Sequence, residues 1–140
     1  MAPRPRPYDK FMVALKIGAD RQLRRVPAQQ RWVWVAGVLS LAAQSPIRGH
    51  LLLVDADHVT AKDIAEEASV GIGVARKALA SFRTLELVQM DDELACEFVP
   101  NFLLYNPMPA AESREGERLR KREQRARQRI AKRAVEGALG

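Results

Sequence analysis

With 140 residues, 47% of them hydrophobic, the chain can form one modest domain with appendages, and no apolar run approaches the roughly 20 residues that cross a bilayer. Cys96 is the only cysteine, which excludes an internal disulfide and fits a reducing cytoplasm, and MAPRPRPYDK has no apolar signal core, so a cytoplasmic location is expected. The net charge of +6 sits at the ends: residues 1–10 carry three basic and one acidic residue, 11–111 carry ten and eleven, and 112–140 carry ten and five, so attraction for a polyanion belongs to the termini.

Residues 1–9 alternate Pro and Arg and read as an extended, flexible basic arm. Phe11 to Ile17 reads as a strand, and Ala19 to Arg25 as a single helical turn. Pro27 suits the first turn of a helix running through Gln44. Trp34, Val38, Leu41 and Ala42 share one face of it, and Val35, Leu39 and Ala43 widen that face, so this helix is expected at the centre of the core. Trp32 cannot share the face of Trp34; it is either a second core contact or part of a partner surface. Ser45-Pro46 ends the helix. After Gly49, Leu51 to Val54 reads as a short buried strand, and Asp55 to Val59 as a loop.

Thr60 to Leu87 carries the pattern of two helices joined by a tight turn. Thr60 is an N-cap with Asp63 three residues on, an imperfect capping box. Ile64, Ala65 and Ala68 fall on one face, and Ala65 is small enough for a close helix crossing. Ser69-Val70-Gly71 turns the chain, and Ala75, Ala78, Leu79 and Phe82 form the buried face of the second helix. Leu85 to Met90 reads as a helix end passing into a strand, Asp91-Asp92-Glu93 as a turn, and Leu94 to Val99 as a second strand. This is the order of a helix-turn-helix followed by a wing, in which the second helix can enter a DNA groove. Arg76, Lys77 and Arg83 are its candidate DNA contacts. Gly71-Ile72-Gly73 offers no side-chain hydrogen bonds to base edges, and the acidic wing tip repels phosphate.

Pro100 to Tyr105 brings aromatics back onto the domain, and residues 107–111, with Pro107 and Pro109, form a linker. Residues 112–140 read as an Arg-rich helical tail. Its apolar residues, Leu119, Ala126, Ile130 and Val135, are too sparse for a coiled-coil seam, so a solvated helix is the plain reading. Arginine outnumbers lysine eight to two, which suits phosphate. The candidate contacts are Arg114, Arg118, Arg120, Lys121, Arg122, Arg125, Arg127, Arg129, Lys132 and Arg133. Deleting the chain after Pro109 is expected to leave the domain folded.

Catalytic signals are missing. Asp55-Ala56-Asp57-His58 has the residue types of a metal site but no further ligand nearby, and reads as a polar loop. His50 has no evident partner. No Walker A loop, nucleophile elbow or HExxH occurs, and Gly71-Ile72-Gly73 is too short to cradle a phosphate.

Several short pieces resemble the winged-helix domain of phage replisome-organiser and DnaD-like replication-initiation proteins. They are Arg31-Trp32-Val33-Trp34, Asp63-Ile64-Ala65, Val74-Ala75-Arg76-Lys77-Ala78-Leu79, Leu87-Val88 and Val99-Pro100-Asn101-Phe102, followed by the Arg-rich run. The resemblance covers most of residues 10–106. It implies binding to DNA, often at replication origins, and in some members recruitment of helicase-loading machinery. The chain ends shortly after this region, so a small DNA-binding accessory fits better than a complete initiator.

The expected fold is therefore α+β: a winged helix-turn-helix domain over 10–106 with a basic C-terminal helical extension. The expected function is that of a non-enzymatic, phage-type DNA-binding protein in replication initiation or its control. Duplex DNA is the expected partner, with a protein of a replication or transcription complex as a further one; no membrane, metal or cofactor is expected. A winged-helix transcriptional regulator is one alternative. An adaptor docking on a host or phage complex through its helical tail is the other.

Overall fold

The apolar stripe of the first long helix sets the architecture. In the computed structural model, which describes residues 22–102 and 113–139, that helix lies at the centre of a mostly helical α+β arrangement with one two-stranded antiparallel sheet. The arm over 1–9, the strand over Phe11 to Ile17, the linker and Leu103 to Tyr105 fall outside the described residues.

Leu23–Arg25 forms a 3-10 turn. Pro27 then stands at the N-cap of helix α1 instead of inside its first turn. Helix α1 winds as α-helix over Ala28–Val33, as the wider π-helix over Trp34–Leu39, and as α-helix again over Ser40–Gln44. Trp34, Val38, Leu39 and Ala42 are completely buried. The Trp34 ring meets Phe82 edge-on, with centroids 4.8 Å apart, a favoured aromatic geometry. Trp32 is half exposed, yet its Nε1 donates to the Ala68 carbonyl at 3.0 Å, satisfying a helix-end acceptor.

Helix α2, Ala61–Ala68, begins with the capping box complete: the Thr60 hydroxyl accepts from the Asp63 amide, and the Asp63 carboxylate accepts from the Thr60 amide at 2.8 Å. Asp reaches far enough to serve where Glu is usual. Ala65 is buried as expected, and α1 makes a further close crossing with α2 at Gly37. A Cβ on Gly37 would lie 2.9 Å from Ile64 Cγ2 and 3.3 Å from the Ile64 carbonyl oxygen.

The turn into helix α3, Ile72–Thr84, falls on Ser69-Val70-Gly71 as expected, and Ser69 carries the bend. Gly71 has an ordinary extended backbone and serves as N-cap. Ser69 takes the left-handed conformation, φ 56°, and Val70 N donates back to Ala65 O, the six-to-one bond of a Schellman end. Helix α3 ends the same way: Glu86 sits at φ 59° and Leu87 N reaches Phe82 O at 2.9 Å.

Strands β1, Gln89–Asp91, and β2, Cys96–Phe98, pair antiparallel with Met90 opposite Glu97. The second strand starts later than expected because Ala95 adopts φ 54° and extends the turn. The segment after Gly49 does lie beside β2, with Leu51 N donating to Glu97 O and Val99 N to Gly49 O. It makes one bridge to β2, His50 with Phe98, and one to its own return, Leu52 with His58, and not a full strand, since the chain folds back around Ala56, φ 68°, leaving Val54 85% exposed.

Helix α4, Arg114–Leu139, is not a free tail. Ala126 and Ile130 are buried against Ile47, Leu52, Leu94 and Cys96, a second cluster beside the main core. Deleting α4 would expose Ile47, Leu52, Leu94 and Cys96 to water, a cost that a free tail would not carry.

Candidate nucleic-acid interface

Helix α4 carries two faces made by one periodicity. Glu123, Ala126, Arg127 and Ile130, at i, i+3, i+4 and i+7, look toward the domain. About half a turn round the helix, at 100° per residue, Arg118, Lys121, Arg122, Arg125, Arg129 and Lys132 are all exposed. The first turn is started by Ser113, whose hydroxyl accepts from the Gly116 amide at 3.0 Å, with Glu115 and Glu117 favourable beside the helix N-terminus. Lys121 lies 3.5 Å from Glu117, an exposed pair of little energetic weight.

Polar groups flank the apolar seat of the helix. Arg127 Nη1 stands 3.7 Å from Asp91 and 3.8 Å from Glu93. Glu123 Oε1 accepts from the Arg48 amide at 3.2 Å. His50, for which the sequence offers no partner, is buried with Nε2 2.9 Å from Asp91 Oδ2, and its ring stacks on Phe98. Asp91 also accepts from the Glu93 and Leu94 amides. Two of the three acidic side chains of the turn are thus paired within the molecule, so the β1–β2 turn faces α4.

These contacts perturb the groups they hold. Burial pushes the Glu123 carboxyl above its ordinary value, against the Arg48 amide and the charges of Arg48, His50 and Arg127. Burial also pushes Asp91 upward, but the His50 and Leu94 hydrogen bonds and the His50 and Arg127 charges bring it below its ordinary range. The Cys96 thiol is raised to about 11, by burial first and by Asp91 next.

The sequence-predicted contacts separate into three groups. Arg76 and Lys77 are exposed on the outer side of α3. Arg83 is engaged by Glu97 through two hydrogen bonds of 2.8 and 2.6 Å, and Arg127 by the turn carboxylates, so neither presents an unpaired fork. Arg114, Arg118, Arg120, Lys121, Arg122, Arg125, Arg129, Lys132 and Arg133 are exposed along α4. Sequence reasoning missed Glu123, His50 and Asp91 as fixing groups. The helical spacing of Glu123, Ala126, Arg127 and Ile130 was the available signal for Glu123; nothing local announced the His50–Asp91 pair.

Among the described residues, no cluster of three or more His, Cys, Asp or Glu could hold a metal ion, and no helix is long and apolar enough to cross a membrane. No protein-family model, curated protein or solved structure matches the chain.

Proposed function

We propose that the protein binds duplex DNA without enzymatic action, chiefly by phosphate contacts from the outer face of α4, and that it serves replication initiation or its control. The observation that carries this is the division of α4 into a docked face and a basic face. A charged helix with no task beyond solubility would not need its cations gathered opposite a buried seat. From Arg118 to Lys132 the stripe runs about 21 Å, which matches about six phosphates of one strand at 3.4 Å each. No aromatic side chain stands among these six cations, so unpaired bases lack a stacking platform, which favours duplex. We read α2, α3 and the β1–β2 ribbon as a winged helix-turn-helix on their order and short turn. In this reading the ribbon tip seats α4, and Arg76 and Lys77 supplement the phosphate contacts. The replication assignment rests on the resemblance of the sequence pieces to replisome-organiser and DnaD-like domains.

Replacing Arg118, Arg122, Arg125 and Arg129 together by Gln tests this. At about 0.9 per phosphate released, the slope of log affinity against log salt should flatten by roughly 3 to 4. Affinity for cognate-length and random duplexes should fall alike, with an unchanged melting temperature because all four side chains are exposed. An unchanged slope would remove the stripe from the interface. An adaptor reading is favoured by one observation, the exposure of Trp32 and Ile72 at 56% and 42%. It takes the lead if the wild-type chain binds no duplex even at low salt.

A further inference from the structure

On the flank of α4, between its docked and basic faces, a cleft opens against the loop that follows Leu53. It encloses about 480 Å³, within the range of pockets that take small ligands or peptide side chains. Pro46, Ala56, Ala126 and Ile130 contribute apolar lining. Val54 stands at the edge, 85% exposed, an aliphatic side chain left in water. Arg129, Lys132 and Arg133 supply cations around it, and Asp55 and Glu136 supply carboxylates. No described carboxylate lies within ion-pair distance of Arg129, Lys132 or Arg133.

We propose that this cleft binds a short acidic peptide segment of a partner protein, one large aliphatic side chain entering between Val54 and Ile130 and its flanking carboxylates pairing with Arg129 and Arg133. The chemistry of the rim selects peptide over nucleic acid. A phosphodiester has no donors to offer Asp55 and Glu136 and is repelled by both, whereas an extended peptide brings backbone N–H groups that those carboxylates accept. The lining residues include no aromatic ring on which a base could stack. The excess of three cations over two acids gives the complementarity for an acidic segment.

Arg129 and Lys132 belong both to this cleft and to the basic stripe. Resting on the duplex-binding reading, this sharing makes peptide and duplex compete, each weakening the other by the same factor. The partner would thereby regulate the release of DNA.

The test uses the full chain and a fluorescein-labelled peptide with one leucine flanked on each side by aspartates, read by anisotropy. The leucine peptide should bind about tenfold more tightly than its serine counterpart, the order of effect for one side chain in an apolar pocket. Val54→Ser should erase most of that difference while leaving duplex affinity unchanged, and Val54 is too exposed for this change to unfold the protein. Equal binding of the two peptides, or an unaltered preference in Val54→Ser, overturns the cleft. Unlabelled duplex should displace the leucine peptide. Should duplex bind without displacing it, the shared rim is wrong. Should duplex not bind at all, the function proposed above falls, while the leucine–serine comparison still decides the cleft.

Discussion

Four non-glycine residues, Ala56, Ser69, Glu86 and Ala95, hold left-handed backbones. For an L-residue this conformation costs roughly 1–2 kcal/mol relative to the right-handed one. At Ser69 and Glu86 the strain is imposed by Schellman ends, where Gly is the usual occupant. Ser69→Gly and Glu86→Gly should each raise stability by about 0.5–1 kcal/mol, the relief exceeding the entropy that glycine adds to the unfolded chain. Chemical denaturation of the two variants checks this, and a loss of stability in both would mean that the helices do not end where Ser69 and Glu86 stand. The neighbouring glycines explain why the turn was only half legible. Gly71 draws the eye as the bend, yet its backbone is ordinary and a Cβ there meets nothing within 4 Å. Gly37, which the crossing of α1 and α2 does require, lies inside an apolar run where no local pattern singles it out.

At the scale of elements, periodicity made the core helices readable. Trp34, Val38 and Phe82 sit where their spacing placed them, and the capping box at Thr60 marked the start of α2. The helical character of α4 is legible in its composition, but its docked face is not. Two buried apolar side chains, Ala126 and Ile130, are too few for a coiled-coil seam, but they suffice when a preformed patch of Ile47, Leu52, Leu94 and Cys96 receives them. Such a patch is assembled from distant loops, and no window of the sequence shows it. Ile130→Asp should therefore lift the helix, since an ionised carboxylate cannot enter that cluster unpaired. Cys96 reports the event. With its thiol at about 11 and 1% exposed, the docked protein should resist alkylation at pH 8, where only about one thiol in a thousand is ionised. In Ile130→Asp, alkylation should accelerate by at least tenfold as an order-of-magnitude expectation from restored access and a normal thiol. A cooperative thermal melt should persist, since the main core around Trp34 and Phe82 does not include α4. Equal labelling rates would place the thiol under some cover other than α4.

Across the whole molecule, charge distribution and docking form one arrangement. The acidic turn looks ill-suited to a DNA-binding protein when read alone. In the fold, Asp91 and Glu93 hold Arg127, and the docked helix carries its remaining cations outward. The seat depends on carboxylates perturbed in opposite directions, which gives docking a pH optimum. Glu123 is raised above its ordinary 4.5, so the folded state binds its proton more readily than the unfolded chain. Its contribution is fully present below 4.5 and is lost as pH rises through the raised value. Asp91 is lowered from 3.8, so its contribution is present above 3.8 and is lost as pH falls through the depressed value. Melting temperature should climb as the buffer goes from neutral into the mildly acidic range, then drop in strong acid. Glu123→Gln imitates the protonated side chain and should flatten the climb while leaving the acid drop in place. Asp91→Asn should do the reverse, softening the drop and weakening the hold on Arg127 wherever the wild-type carboxyl is ionised. If Glu123→Gln keeps the wild-type climb, the carboxyl buried under Arg48 is not what sets the upper limb.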